Sequence, residues 1–316
     1  MVSIVKKIIN NKEYLYAKYS FRDLNGKIKN LYKLINSKDE LNSKDLTDYF
    51  NNKEKEHQLN LAIKKYKPNL ILTTDKINRL ELFKIEYKQI LKRLTPNQMN
   101  DVLDRFTANF TYESNAIEGN SLTLKDVTMI LSENFVPKGK DLREIYETRN
   151  TREVNELLFK HKFSITSKDL ILIHKLLVKD TGVNFGYKKL PNYLIMRDVK
   201  TTPPEKVEEE INKLIEWYNF SKNKIHPILL ASEFHAKFEK IHPFEDGNGR
   251  LGRIIINLIL LETGYPPLII RKLSRQKYFS ALDAYDKGHH DKFERFLLER
   301  IEETFEKFFR IYIKYL

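Results

Sequence analysis

The segment from His242 to Arg253 combines the residue types that transfer of a phosphoryl or nucleotidyl group requires. His242 can accept a proton near neutral pH, and the Asp246 carboxylate can bind Mg²⁺ beside phosphates. The glycines between them allow the backbone to approach an anion closely. Arg250 and Arg253 are three residues apart, so both cations lie on one helix face. The segment therefore predicts a site for the phosphates of a nucleotide.

Helices on both sides of this segment must position it. Leu230, Phe234 and Phe238 recur at helical spacing before the turn, and an apolar helix is predicted from Leu251 onward. The glycine turn then lies at a helix N-terminus, where backbone N–H groups and the helix dipole favour an anion. A histidine and a proline before a glycine turn are, alone, typical of a helix connector. The complete combination favours a functional site.

A second group of polar residues lies upstream, around Ser114 and Glu118. These residues are four apart, on one face of a predicted helix that closes at Gly119-Asn120. A carboxylate in the last helical turn is disfavoured by the dipole, so we expect an arginine to pair with Glu118. Taken alone, the pattern is more typical of a solvated carboxylate before a helix stop.

The residues of the first segment carry a resemblance to a known family. The segment resembles the Fic family motif HPFx(D/E)GNGRxxR at every fixed position, and the resemblance extends from about Leu80 to the C-terminus. Further matching residues are His235, Phe238, Ile241, Gly264, Tyr265, Pro266 and Pro267. The resemblance implies a protein AMPylator, which moves AMP from ATP to a Ser, Thr or Tyr hydroxyl of a target protein.

The resemblance also implies a role for each motif residue. His242 deprotonates the attacking hydroxyl, and Asp246 holds Mg²⁺ against the α- and β-phosphates. Arg253 engages the γ-phosphate. The anion hole is formed by Gly247, Asn248, Gly249 and Arg250. Because relatives that phosphorylate have a glycine-poor anion hole, the two glycines favour AMP transfer here, while UMP and phosphocholine transfer stay open.

Ser114 and Glu118 resemble the inhibitory motif (S/T)xxxE(G/N) of Fic proteins whose inhibitory helix precedes the core. We expect this helix near residues 103–119. The resemblance implies that Glu118 binds Arg253 and blocks the γ-phosphate, since one guanidinium cannot hold a carboxylate and a phosphate in the same bidentate way. In some relatives this glutamate also positions a water for removal of AMP, so both directions remain open.

Three further groups of residues are expected on the substrate side. The stretch from residue 186 to 204 resembles the Fic flap, which holds the target backbone by strand addition. Its candidates for target docking are Leu190, Asn192, Tyr193, Leu194 and Ile195. Tyr278 and Phe279 resemble the lining of the adenine pocket, and Asp286 stands where some relatives have an asparagine that contacts the base. The alternative for these last three is helix packing or surface.

The remaining pattern predicts a mainly α protein. We expect a helical Fic domain over residues 73–316, with a small β-hairpin flap, and a small appendage over residues 1–72. In the appendage, Tyr14 to Arg22 and Lys27 to Ile35 are predicted as strands joined by an Asn-Gly turn. A short helix is expected between residues 37 and 56.

The net charge of +13 raises the question of nucleic acid. Residues 1–100 carry 21 Lys and Arg against 11 Asp and Glu, so most of the excess lies there. A diffuse lysine-rich surface is more often a solubility feature, and we disfavour nucleic acid while leaving the basic N-terminal segment open to it. A third interpretation is a partner-binding module that uses Tyr14, Tyr16 and Tyr19. A homodimer is also left open.

The composition excludes several classes of protein. With no cysteine, the chain has no disulfide scaffold, thiol nucleophile or cysteine-ligated metal. The longest apolar run, residues 254–261, is too short to span a bilayer, and the N-terminus lacks a signal-peptide core. We therefore expect a cytoplasmic protein with ATP and Mg²⁺ as its small-molecule partners and no membrane partner.

Overall fold

A computed structural model describes residues 2–24, 26–133, 135–192 and 199–313. The chain divides into two compact units, Met1–Ile85 and Glu86–Leu316. The division falls inside helix α2 (Thr74–Arg93), whereas the sequence analysis places the domain boundary just before that helix, at residue 72. Each unit is described by itself.

The N-terminal unit contains a three-stranded antiparallel sheet in the order β1-β2-β3. The strands are β1 (Val2–Ile9), β2 (Lys12–Arg22) and β3 (Ile28–Ile35). One sheet face packs on helix α1 (Lys44–Tyr66), and Ala17, Ile35, Leu46 and Phe50 form the core between them. Such a small core is completed by half-buried side chains at its border, which include Leu15 and Tyr19.

The predicted hairpin is present, but the unit contains more structure than the sequence analysis predicts. Strand β1 is additional, and Asn10 and Asn11 join it to β2 with positive φ angles of 50° and 58°. Asparagine tolerates this left-handed conformation, so the Asn-Asn pair is the turn signal that the sequence analysis missed. The predicted short helix is also wrong in length, because α1 has 23 residues and ends only at Tyr66.

The second unit is helical. After α2 its helices are α3 (Pro96–Ile117), α4 (Leu124–Glu133), α5 (Leu142–Phe159), α6 (Ser167–Leu177), α7 (Val207–Ser221), α8 (Pro227–Ile241), α9 (Asn248–Glu262), α10 (Arg275–Asp286), α11 (His290–Thr304) and α12 (Arg310–Ile313). A π-helical turn, Phe305–Phe309, joins α11 to α12. The mainly α class is confirmed.

Helix α9 is the centre of this unit. Thirteen of its fifteen residues are buried, as expected of a helix that is apolar on nearly all sides. It packs against α3, α5, α6 and α8, so four helices converge on its surface. The sequence analysis places its start at Leu251, but the helix begins at Asn248 because the glycine-rich first turn is held by this surrounding packing.

Helix α3 begins with a complete capping box. The Thr95 hydroxyl accepts a hydrogen bond from the Gln98 N–H, and the Gln98 side chain accepts one from the Thr95 N–H. Pro96 is the first helical residue, where its missing N–H costs nothing, so it starts α3 rather than interrupting it. Among the described residues, no helix has both the length and the apolar character needed to cross a bilayer.

Candidate active site

The motif begins where α8 stops. His242 caps this helix in the left-handed conformation, with φ 50° and ψ 62°, and its N–H donates to the Phe238 carbonyl. Pro243 follows and disfavours any continuation of the helix. The His242 side chain is 15% exposed, and its Nδ1 lies 3.9 Å from the Glu239 carboxylate. A charged imidazole here has a carboxylate beside it.

Asn248 closes the turn between the two helices. Its Oδ1 accepts from the Phe244 N–H at 2.9 Å, and its Nδ2 donates to the Phe244 carbonyl at 2.9 Å. The side chain that the resemblance places in the anion hole therefore shapes the turn. Gly247 precedes it with φ 82°, a conformation that L side chains rarely adopt. The turn leads directly into the N-terminus of α9, where free backbone N–H groups can donate hydrogen bonds to an anion.

Arg250 lies at the centre of a network of charges. It is 2% exposed, and its guanidinium lies 3.2 Å from Glu147 of α5 and 3.3 Å from Asp246. Arg143, at the start of α5, contacts both carboxylates in turn. Because a buried guanidinium needs such partners, this network holds Arg250 and Asp246 in fixed positions beside the turn.

Arg253 is bound by the end of α3. Its Nη2 donates to the Glu118 carboxylate at 2.7 Å and to the Ser114 carbonyl at 2.8 Å, and its Nε donates to the Ser114 hydroxyl at 3.0 Å. Burial lowers the pKa of this guanidinium, but the charge and hydrogen bond of Glu118, together with the nearby Tyr278 and Glu239, outweigh burial, so the pKa is raised overall. The structure thus brings together the arginine and the carboxylate that the sequence analysis expects to pair.

Gly249 shows how closely the Glu118 carboxylate approaches the anion turn. A Cβ atom built on Gly249 would lie 2.1 Å from Glu118 Oε1 and 3.1 Å from Arg253 Nη1. A side chain at position 249 would therefore force the Glu118 carboxylate to move. The carboxylate of Glu118 therefore lies against the backbone that the motif assigns to phosphates.

The end of α3 is held from two sides. Arg275 donates to the Ile117 carbonyl at 2.7 Å, and the Lys272 N–H donates to Glu113 at 2.7 Å. On the other side, Asn120 donates to Glu147, which also pairs with Arg250. These contacts hold the backbone on both sides of Glu118, while its side chain, 38% exposed, is bound through Arg253.

His174 of α6 is a positioning residue that the sequence analysis missed. Its Nε2 lies 2.9 Å from the Asp246 carbonyl, which can only accept, so Nε2 carries the proton. Its Nδ1 accepts from the Gly186 N–H at 3.3 Å, and its ring stacks on Phe244 at 3.9 Å. Burial lowers the pKa of His174 to about 4, although the hydrogen bond to Asp246 raises it. The neutral ring links the motif to the start of the flap stretch.

Lys188 anchors the same stretch. Its N–H donates to the Pro243 carbonyl at 2.8 Å, next to His242, and its amine donates to Asn192 and Thr201 at 2.7 and 3.1 Å. Burial lowers the pKa of this amine to about 8. Asn192 in turn donates to the Phe244 carbonyl at 2.8 Å. The lysine thus ties together the two sides of the flap stretch, residues 192 and 201.

The predicted docking residues divide into two groups. Leu190 is 77% exposed and Asn192 is bound to the motif, as described above. Tyr193, Leu194 and Ile195 lie outside the residues that the structure describes.

The three residues predicted near the adenine of ATP differ in exposure. Tyr278 is 1% exposed, and its hydroxyl lies 2.8 Å from His235 Nε2. The ring is buried, with its centroid 5.9 Å from the Arg253 guanidinium, and its place in the adenine pocket stays a prediction. Phe279 is half-buried under Arg275, and Asp286 ends α10, half-buried.

The residues that sequence reasoning missed are single polar residues on helix surfaces. Arg143, Glu147 and His174 belong to no local motif, and their roles arise only when α5 and α6 pack against α9. Arg143 and Glu147 are four residues apart, a spacing that is typical of an ordinary ion pair on a helix surface. No signal in the sequence distinguishes them from solvated charges.

The geometry agrees with a family match. Residues 164–260 match the Fic/DOC family. This part of the chain is a Fic domain. The matched range of the Fic domain contains His174 and the motif, whereas α3 and α5, with Glu118 and Glu147, precede it.

Several known proteins are similar to the chain that carries this Fic domain. It is 34% identical to "Protein adenylyltransferase Fic" of Nematostella vectensis over 203 residues, which are 62% of this chain and 47% of that protein. It is 30% identical to "Protein adenylyltransferase fic-1" of Caenorhabditis elegans over 206 residues, 63% of this chain and 40% of that protein. The chain thus spans less than half the length of these curated relatives.

A solved structure shows the same fold. A Fic domain containing signaling protein from Bacteroides thetaiotaomicron superposes with a TM-score of 0.64 at 24% identity, and the match covers 70% of this chain and 92% of that chain. At this identity the likeness describes the fold alone.

Proposed function

We propose that the chain is a protein AMPylator whose active site is closed by its own Glu118. The observation that carries this proposal is the pair of buried arginines, Arg250 and Arg253, on the first turns of α9 beside the glycine turn. Two buried guanidinium groups next to a helix N-terminus suit a polyphosphate. The relatives named protein adenylyltransferase support ATP as its source.

The proposed reaction needs one base and one anion site. A hydroxyl of the target protein loses its proton to the His242 imidazole, and its oxygen attacks the α-phosphorus of ATP. The bond from that phosphorus to the bridging oxygen breaks, and pyrophosphate leaves. Arg250 and the N–H groups at the start of α9 stabilise the charge that develops on the phosphate. Glu239, near His242 Nδ1, favours the imidazolium that forms.

Asp246 fits the expected role of a magnesium ligand. Its side chain is 41% exposed beside the glycine turn, and one or two carboxylates with substrate phosphates are the usual protein site for Mg²⁺. Among the described residues, no cluster of three or more acidic or histidine side chains forms a separate metal cage. When bound there, Mg²⁺ supplies charge neutralisation of the phosphates.

The closed state follows from the contacts of Glu118. Its carboxylate takes the Nη2 hydrogen bond of Arg253 and lies against Gly249. A γ-phosphate that engages Arg253 must displace this carboxylate, since both need the same donors. Near the anion turn the carboxylate is also placed to orient a water, so we extend the proposal to removal of AMP.

A mass measurement tests both halves of the proposal. Wild type, Glu118→Gly and the double variant Glu118→Gly/His242→Ala are incubated with Mg²⁺ and ATP, and intact mass reports self-modification. We expect Glu118→Gly to gain AMP about 5- to 150-fold faster than wild type, the usual range of coupling between two sites. The double variant should lose about 10²- to 10⁴-fold of that rate.

The matched control is Glu133→Gly, which removes an exposed carboxylate from the end of another helix, α4. It should label as slowly as wild type. Equal labelling of wild type and Glu118→Gly would contradict the closed state, and a gain of UMP or phosphate in parallel incubations would contradict AMP transfer. AMP-modified protein incubated with Mg²⁺ and no ATP tests removal, which Glu118→Gly should slow.

A further inference from the structure

In the N-terminal unit, helix α1 packs on one face of the three-stranded sheet, and the side chains of the other face are half-buried or exposed. Strand register places Ile4, Ala17 and Lys33 on the face that packs on α1, because paired residues share a face. The opposite face, here called the outer sheet face, consists of Ser3, Val5, Lys7, Ile9, Lys12, Tyr14, Tyr16, Lys18, Ser20, Arg22, Ile28, Asn30, Tyr32 and Leu34.

The outer sheet face is cationic. It carries Lys7, Lys12, Lys18 and Arg22, and none of the described strand residues on this face is acidic. The acidic strand residue, Glu13, points to the other face and pairs with Lys6. Four cations on one side of a small sheet, without a carboxylate among them, are complementary to a polyanion.

Aromatic rings lie among these cations. Tyr16 is opposite Leu34 in the register, so Tyr32, two residues before Leu34, is its diagonal neighbour, roughly 7–8 Å away. The Lys7 amine lies 4.2 Å from the centroid of Tyr32 and 5.0 Å from that of Tyr16. One face of Tyr16 and one face of Tyr32 therefore point toward Lys7 on the outer side of the sheet. A planar base could take the place of the Lys7 amine over these rings.

This combination distinguishes between polyanions. Phosphates alone would be satisfied by the cations, but neighbouring open ring faces match successive unpaired bases, which stack on aromatic side chains of sheet platforms. In a duplex those base faces are hidden by stacking between neighbouring base pairs. We propose that the outer sheet face binds single-stranded nucleic acid, with bases stacked on Tyr16 and Tyr32 and phosphates bound by Lys7 and Lys18. The proposal does not depend on AMP transfer.

Titration of the full-length protein with a labelled oligothymidylate or oligouridylate tests this proposal. The oligonucleotide is chosen longer than one site of about 4–16 nucleotides, and fluorescence anisotropy is recorded over a series of salt concentrations. We expect saturable binding with a negative log–log salt slope. Lys18→Gln should reduce the magnitude of that slope by about 0.7, the contribution of one phosphate contact on a single strand.

The tyrosine variants separate stacking from charge. Tyr32→Ala, at a side chain already 39% exposed, should weaken binding at least about fivefold with the salt slope unchanged. Tyr16→Phe should bind as wild type, and Tyr16→Ala should not. Lys64→Gln is the matched control, because Lys64 is exposed on α1, which covers the other sheet face. Thermal unfolding verifies that each variant is folded.

Several outcomes overturn the proposal. These are the absence of saturable binding at low salt, equal competition by heparin or duplex DNA, and tyrosine variants that bind as well as wild type. A fourth is concentration-dependent dimerisation that Tyr32→Ala abolishes while oligonucleotide binding stays intact, since the face would then be a protein interface.

Discussion

The Fic domain and the N-terminal sheet both cluster cations, but they hold them in different ways. Arg250 and Arg253 are each 2% exposed and are bound by the carboxylates of Glu147 and Glu118. Lys7 and Lys12 of the outer sheet face are exposed, with no carboxylate among the described residues of that face. Because they are buried and paired, the two arginines have a defined geometry, as a group that stabilises a transition state must have. Exposed cations attract a polyanion from a distance, and salt screens that attraction.

Removal of one carboxylate of a buried pair tests the difference between the two regions most strongly. Glu147→Ala removes one of the two carboxylates that pair with Arg250 among the described residues, and one of the acceptors of Asn120 and of Arg143. We expect it to lower the free energy of unfolding by about 3 kcal/mol, since an unpaired buried charge is costly. Lys18→Gln on the outer sheet face should change it by less than about 0.5 kcal/mol.

Urea unfolding at constant pH measures both effects. Glu153→Ala provides the control, because Glu153 is exposed on the same helix, α5, and its removal should resemble that of Lys18. If Glu147→Ala and Glu153→Ala unfold at the same urea concentration, the buried network does not stabilise the site as described.

The sequence predicts one of these regions much better than the other. The motif from His242 to Arg253 is contiguous, so its residue types and spacing identify the anion turn directly. The contact of Glu118 with Arg253, 135 residues away, follows from the resemblance of a second short motif. Arg143 and Glu147 could not be found, because their partners depend on how α5 packs against α9.

The N-terminal unit shows the opposite limitation. Its hairpin is predicted from the aromatic run and the Asn-Gly turn, but the outer sheet face requires β1, which was not recognised. Register also needs the pairing of Val5 with Tyr16 and of Tyr16 with Leu34, which no single strand contains. Helix α1 was predicted too short because polar residues such as Asn51 and Asn52 carry little helical signal, while Leu46 and Phe50 hold the helix on the sheet.

A buried titratable group extends the comparison to pH. Burial lowers the pKa of His174 to about 4, whereas the unfolded chain binds this proton near 6.5. Between these values the unfolded state binds more protons, so stability rises with pH and is lost as pH falls from about 6.5 to 4. We expect a loss of at most about 3 kcal/mol over this window, and a weaker dependence in His174→Gln.

Unfolding free energies of both proteins at a series of pH values measure this difference. His289→Gln is the control, because His289 is exposed before α11 and its removal should leave the pH dependence as in wild type. Parallel pH profiles of wild type and His174→Gln would show that the ring binds its proton at the same pH in the folded and the unfolded protein, contrary to the effect of burial.

Substitution of a residue with a positive φ angle has the smallest expected effect on stability. His242 has φ 50° and is held by packing around the motif, whereas Asn10 and Asn11 have φ 50° and 58° in a turn that only their own residue type favours. Asn11→Val should therefore destabilise the β1–β2 hairpin by about 1–2 kcal/mol, and Asn11→Gly should leave it at least as stable as wild type. Amide hydrogen exchange of β1 and β2 measures this loss of hairpin stability locally.

Asn60→Val on α1 is the control, since Asn60 is helical and exposed, and asparagine and valine have similar helix propensities. Equal exchange rates in Asn11→Val and wild type would mean that the turn adopts another conformation, and Lys7 would then lose the register that places it over Tyr16 and Tyr32.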